Sequence, residues 1–126
     1  MFLYRTEVRV ATNSKMGLGL FAAEFIPKDS VVWKFVEGVD IKISLKEVQQ
    51  MSIAQQEYFD KYGWIENNYY VASCDTASFI NHSYTPNLVS HEKIVIAARD
   101  IQPEEELFED YRTFDKTFDE YKDELV

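Results

Sequence analysis

Phe79-Ile80-Asn81-His82-Ser83-Tyr84-Thr85-Pro86-Asn87-Leu88-Val89 is the most informative stretch of this chain. Its middle, Asn81 to Asn87, is polar and turn-rich, and apolar pairs flank it on both sides. A polar segment held between apolar ones often marks a site, because loops carried by a rigid scaffold supply many binding groups. Working outward, residues 64–80 have strand-like composition, and Lys93 to Ala98 is a strongly β-type run. Tyr4 to Ala11 alternates as a half-buried strand does, and Asn13 to Gly17 reads as a turn. Leu18–Ala23 and Ser30–Phe35 are short strands around the turn Ile26-Pro27-Lys28-Asp29.

One helix is predicted to interrupt the strands, over residues 44–62. Ser44 and Glu47 have the spacing of a capping box, Leu45, Val48, Met51, Gln55 and Phe59 share a face, and Gly63 closes it. A second is predicted at the end, where Phe114, Phe118, Tyr121 and Leu125 form one apolar stripe among acids. The chain thus divides into a mainly β body over 1–113, with a helical insert at 44–63, and an acidic amphipathic helix over 114–126. Phe21 to Val31 also echoes Ile96 to Leu107, each reading as strand, proline turn, acidic step and strand. Two such units predict an assembly of small sheets, whereas a solenoid needs more copies.

With 126 residues, 46% of them apolar and 15% aromatic, the chain can bury a core as a single domain despite its charge. The net charge of −9 argues against a sequence-independent nucleic-acid binder, which needs clustered Lys and Arg, and favours basic partners. Residues 100–126 hold 11 acidic and 3 basic residues, so the acidity belongs to that end. Cys74 is the single cysteine, which excludes an intramolecular disulfide and a Cys-rich zinc cluster, and no metal is expected. Met1 to Glu7 lacks the apolar stretch of a signal peptide, and no run approaches the roughly 20 apolar residues of a membrane span. A soluble, intracellular protein in a reducing compartment is expected.

Three short motifs follow one another: Gly17-Leu18-Gly19-Leu20-Phe21, then Phe79-Ile80-Asn81-His82-Ser83 with Pro86-Asn87, then Glu105-Glu106-Leu107 leading to Asp110-Tyr111. Alone, each is weak. A Gly-x-Gly is usually a tight turn, and Ala22 stands where a dinucleotide fingerprint needs its third glycine. In this order and at this spacing they resemble the SET-domain family of protein lysine methyltransferases, over about residues 4–114. The resemblance implies a β-clip-like fold of several small sheets, in which the chain's end threads beneath the Asn-His segment in a pseudoknot-like crossing. It implies S-adenosylmethionine as cofactor, held by the main chain of Gly17, Leu18 and Gly19, the Asn81 amide and the His82 main chain. It makes Tyr111 the catalytic residue and Tyr69 or Tyr70 a wall of the substrate channel, leaving open which of the two.

The residue types suit that chemistry. Glycines let a main chain approach a ligand closely, and a neutral amide accepts from an ammonium without adding charge. A lysine, with a reference pKa of about 10.4, must lose its proton to attack a methyl group, and a narrow apolar channel favours the uncharged form. Aromatic walls tolerate a cation or a methylated amine. The implied reaction is methyl transfer to the ε-amine of a lysine in a protein substrate, basic by charge complementarity, with no metal and no protein nucleophile.

The sequence also departs from the family's pattern. Tyr84 replaces a cysteine that many relatives use in a zinc cluster after the domain, so the missing wall is expected from Phe114, Phe118 and Tyr121. Ser78 stands where an arginine is common. Glu109 stands in the substrate channel where relatives have a Phe or Tyr, and its carboxylate either receives the substrate's ammonium or points to solvent. Asp29 and Glu104 replace turn glycines. Asp tolerates positive φ better than Glu does, so the second turn is expected to be of a different type. Two rival readings stand beside the enzyme: a catalytically inactive SET-like module that binds basic peptides, and a small β-domain that forms a homodimer through its aromatic C-terminal helix.

Overall fold

The computed structural model describes residues 1–113 and Asp119. The helix expected over 114–126, with Phe114, Phe118, Tyr121 and Leu125, lies outside the described residues. In chain order the elements begin with β1 (Thr6–Val10), β2 (Leu18–Ala22), β3 (Val31–Lys34) and β4 (Ile41–Ser44), followed by α1 (Leu45–Gln49) and α2 (Ile53–Tyr62). Then come β5 (Trp64–Glu66), β6 (Tyr69–Ala72), β7 (Asn81–His82), β8 (Leu88–His91), β9 (Ile94–Ala97) and β10 (Phe108–Glu109).

These strands make four small sheets: β1-β2, β3-β9-β8 and β4-β6-β5, all antiparallel, and the parallel pair β10-β7. Fully buried Leu20, Ile26, Leu88, Ile101 and Leu107 join the sheets in one apolar core. A smaller cluster of Val48, Phe59 and Ala72 packs the two helices onto the β4-β6-β5 sheet. Asn67 and Asn68, at φ of 47° and 66°, make the two-residue turn between β5 and β6 that such left-handed residues favour. No helix among the described residues is long and apolar enough to cross a membrane.

The two echoed units lie against each other. Ile26 and Ile101 exchange reciprocal backbone hydrogen bonds, each of 2.9 Å. Three residues beyond each isoleucine the chain turns the same way, at Asp29 (φ 68°) and Glu104 (φ 74°). The expectation that the second turn differs in type is therefore corrected. Tertiary bonds override the local preference of Glu: the Glu104 N–H donates to Ala22 O at 2.7 Å, and the Ala22 N–H donates to Glu105 O at 2.9 Å.

The expected single helix over 44–62 is also corrected, to two. Ser52 restarts the helix with a complete capping box, its hydroxyl accepting from the Gln55 N–H while the Gln55 side chain accepts from the Ser52 N–H. At Ser44 only half of the expected box forms. Its hydroxyl accepts from the Glu47 N–H and donates to Glu47 Oε1 at 3.0 Å, so the Ser44 N–H is not the carboxylate's partner.

Candidate active site

A parallel pair needs a crossover connection, and the β7–β10 pair therefore joins parts of the chain far apart in sequence. Phe108 lies opposite Asn81, Glu109 lies opposite His82, and the Ser83 N–H donates to Glu109 O at 2.9 Å. The side chain of Asn87, 2% exposed, clamps this crossing. Its Nδ2 donates to Glu106 O and its Oδ1 accepts from the Phe108 N–H, both at 2.8 Å.

The glycine turn meets the crossing from β2. Gly17 takes φ +78° as it closes the 3₁₀ turn Ser14–Met16, which explains a glycine there without any crowding. Gly19 is required for space instead: a Cβ would sit 2.6 Å from Glu106 Oε2 and 3.2 Å from Asn81 Nδ2. Asn81 Nδ2 donates to Leu18 O and to Glu106 Oε2, each at 3.0 Å. With both amide hydrogens committed, Oδ1 is the atom of that side chain left to accept from a ligand. Glu106 itself is buried, and its Oε1 accepts from the Thr12 N–H at 2.7 Å. Sequence reasoning missed its role, because the partners of Glu106 lie 25 and 94 positions away.

His82 contributes more than its main chain. Its Nδ1 accepts from the Tyr111 N–H at 3.0 Å, which sets the position of the residue after the crossing. Burial holds the imidazole below its ordinary pKa, against the nearby Asp110 carboxylate, and a neutral ring is what an accepting Nδ1 requires. The Tyr111 hydroxyl donates to Ile80 O, the residue before Asn81.

Tyr111, Tyr70 and Glu109 line one cavity of about 570 Å³, together with Trp33, Tyr62 and Trp64. Tyr69, on the opposite face of β6, does not: it is 40% exposed, with Lys42 Nζ 4.7 Å from its ring centre. The alternation of a strand separates the two tyrosines, and the sequence could not fix which face was inward. Tyr62 and Trp64 come to the cavity from the end of α2 and from β5, which no local signal announced. Gly17, Leu18, Gly19, Asn81 and His82 do not line this cavity; Asn81 and His82 are joined to the segment just before Tyr111 by the strand pair, Leu18 is joined to Asn81 by the Asn81 amide, and Phe114 lies outside the described residues.

The sequence profile of the SET domain matches residues 17–112. The chain belongs to the SET-domain family. This SET domain is 29% identical, over 117 residues, to a histone-lysine N-methyltransferase, H3 lysine-4 specific, of Chaetomium globosum, covering 83% of the chain and 11% of that protein. Its fold matches a chain of a humanized mutant Chaetomium thermophilum polycomb repressive complex 2 bound to an inhibitor, with TM-score 0.66, 23% identity, and coverage of 90% of this chain and 15% of that one. An active polycomb repressive complex 2 in its basal state matches with TM-score 0.63, 24% identity, and coverage of 86% and 15%. The chain therefore spans about a seventh or less of each of these relatives.

Within the SET domain the cavity wall holds three groups moved from their ordinary pKa: Glu66, raised by burial, Tyr70 and Glu109. Burial, then the hydrogen bond its hydroxyl donates to Asp60, pushes Tyr70 up to about 12, so it stays a neutral phenol. Burial pushes the Glu109 carboxyl up to about 7, opposed by the Ser90 hydroxyl, which donates to Oε1 at 3.0 Å.

Proposed function

We propose that this SET domain, over residues 1–113, transfers a methyl group from S-adenosylmethionine to the ε-amine of a lysine in a basic protein. The Asn81 amide carries the reading: its hydrogens are bound by Leu18 O and Glu106 Oε2, which leaves Oδ1 to accept from the ammonium of an amino-acid-like ligand. At the same corner Gly19 makes room for the Glu106 carboxylate that holds the Asn81 amide, so the glycine supports this acceptor through Glu106. The main chain of Gly17, Leu18, Gly19 and His82 would hold the rest, and Phe114 closes the wall in this reading on its place in the sequence. When bound, S-adenosylmethionine supplies an electrophilic methyl on a positively charged sulfonium.

The chain's own residues do the remainder. The Tyr111 hydroxyl donates to Ile80 O, which fixes where the phenol oxygen stands on the cavity wall for the reacting amine and methyl. Its position is set through His82 Nδ1, so alignment is built into the crossing. Tyr70 and Glu109 form the channel wall beside Tyr111, where desolvation favours the uncharged amine. The net charge of −9 favours a basic substrate, and core histones are the natural first probe because the curated relative is named for histone lysine. An intracellular setting, where the free thiol of Cys74 persists, fits the same reading.

Mass spectrometry of acid-extracted core histones after incubation with the domain and cofactor tests the reaction. Lysine methylation is expected, with loss of at least about 100-fold in rate for Tyr111→Phe and little change in cofactor affinity. Cofactor and peptide binding without any methylation would instead favour the inactive-module reading.

A further inference from the structure

One buried titratable group on the cavity wall serves so far only as a wall. Glu109 is 7% exposed, yet it lines the cavity beside Tyr70 and Tyr111. Its Oε1 accepts from Ser90, and its Oε2 carries no hydrogen bond among the described residues. A carboxyl so nearly enclosed is costly to ionise unless something brings it a proton or a cation.

We infer that Glu109 accepts the proton that the substrate's lysine ammonium must lose before methyl transfer. The inference rests on the lysine-methyltransferase reading of the same cavity. In the step, one N–H bond of the ammonium breaks, an O–H bond forms at Glu109 Oε2, and the electron pair of that N–H bond stays on nitrogen. The neutral amine then attacks the donor methyl, forming a C–N bond as the C–S bond breaks and its pair returns to sulfur. The acid proton leaves afterwards through the open cavity to water.

Desolvation drives the exchange. Burial disfavours both charged forms, so it lifts the carboxyl and lowers the amine, and each shift moves the proton from nitrogen to oxygen. A carboxyl lifted to about 7 by burial is matched to take up and release a proton near neutral pH. A fixed carboxylate of ordinary pKa would stabilise the ammonium instead and hold the amine unreactive.

Among the other charged and titratable groups around Glu109, the Glu66 carboxyl is likewise raised by burial, but Glu66 is half-buried where Glu109 is 7% exposed. Asp60, at the end of α2, already accepts from the Tyr70 hydroxyl, and Lys61, Lys93 and the phenols of Tyr62, Tyr70 and Tyr111 are not carboxylates. Glu66 of β5 and His91 of β8 line the same cavity, Glu66 half-buried and His91 exposed. On β7, His82 lies opposite Glu109 with Nδ1 held by the Tyr111 N–H, and Asp110 follows it, paired with Arg112.

The test is the pH profile of methyl transfer to core histones at saturating donor, with the carboxyl titration followed separately by carbon-13 NMR of labelled glutamate. Wild-type kcat/KM is expected to rise with pH and level off near 7. Glu109→Gln is expected to fall roughly 100-fold at pH 7 and to keep rising tenfold per pH unit through pH 9, since its rate follows free amine alone. Ser90→Ala, which removes the one bond favouring the carboxylate, is expected to move the wild-type break upward. One glutamate resonance should titrate near 7 in the wild type, shift upward in Ser90→Ala and vanish in Glu109→Gln. A Glu109 resonance titrating in the ordinary carboxylate range overturns the inference. So does a Glu109→Gln profile that superimposes on the wild type, and in that case the methyltransferase reading stands. A wild type that binds donor and methylates no lysine overturns both.

Discussion

The crossing of β7 and β10 and the helical insert between β4 and β5 hold together in opposite ways. At the crossing, polar groups of distant segments satisfy one another: Thr12 with Glu106, Leu18 with Asn81, Asn87 with Glu106 and Phe108, and His82 with Tyr111. In the insert, caps and bonds between close neighbours dominate, and a three-residue apolar cluster supplies the rest. The crossing is a network in which each member positions another, so damage spreads. The insert is a local unit resting on the sheet, so its damage stays local.

A pair of substitutions breaks this contrast most visibly. Asn87→Ala leaves Glu106 O and the Phe108 N–H buried without partners, a cost of about 4 kcal/mol, and calorimetry should find cofactor binding abolished. Phe59→Ala opens a void under α2 at about 3 kcal/mol in denaturant unfolding, yet cofactor affinity should stay within about twofold.

Glu109 sharpens the contrast through pH. Its folded pKa of about 7 exceeds the ordinary 4.5, so the folded state holds the proton more tightly. Stability from this group is full below 4.5, declines as pH rises toward 7, and above 7 the ionised carboxylate weighs about 3 kcal/mol against the fold. Glu109→Gln should therefore stabilise the domain by about 2–3 kcal/mol at pH 8 and hardly at all at pH 4, read from unfolding curves at both values. The smallest effect is expected at Glu104, an exposed left-handed residue outside both networks. Glu104→Gly should relieve its backbone strain and raise stability by up to about 1 kcal/mol.

What the sequence made legible follows the same division. Gly17, Gly19, Asn81 and Tyr111 stood out because a short motif surrounds each, and order and spacing tied the motifs together. The echo of the two units announced an assembly of small sheets, but not that Ile26 and Ile101 would bond reciprocally and set the units against each other. Glu106 and Asn87 were silent in role, because what they do depends on donors and acceptors brought from elsewhere by the crossing. The break at Ser52 was overlooked for a different reason: the apolar stripe continues through it, and periodicity outweighed a capping signal that was present in Ser52 and Gln55. At Glu104, tertiary hydrogen bonds overruled a local preference that had been read correctly.

Calorimetric titration of the whole chain with S-adenosylmethionine, wild type beside Asn81→Ala, tests the cofactor corner most directly. Saturable one-site binding is expected, weakened roughly 10- to 100-fold in the variant by loss of a charge-assisted hydrogen bond. Equal affinities in the two proteins, or no heat from the wild type at high cofactor concentration, would contradict the account.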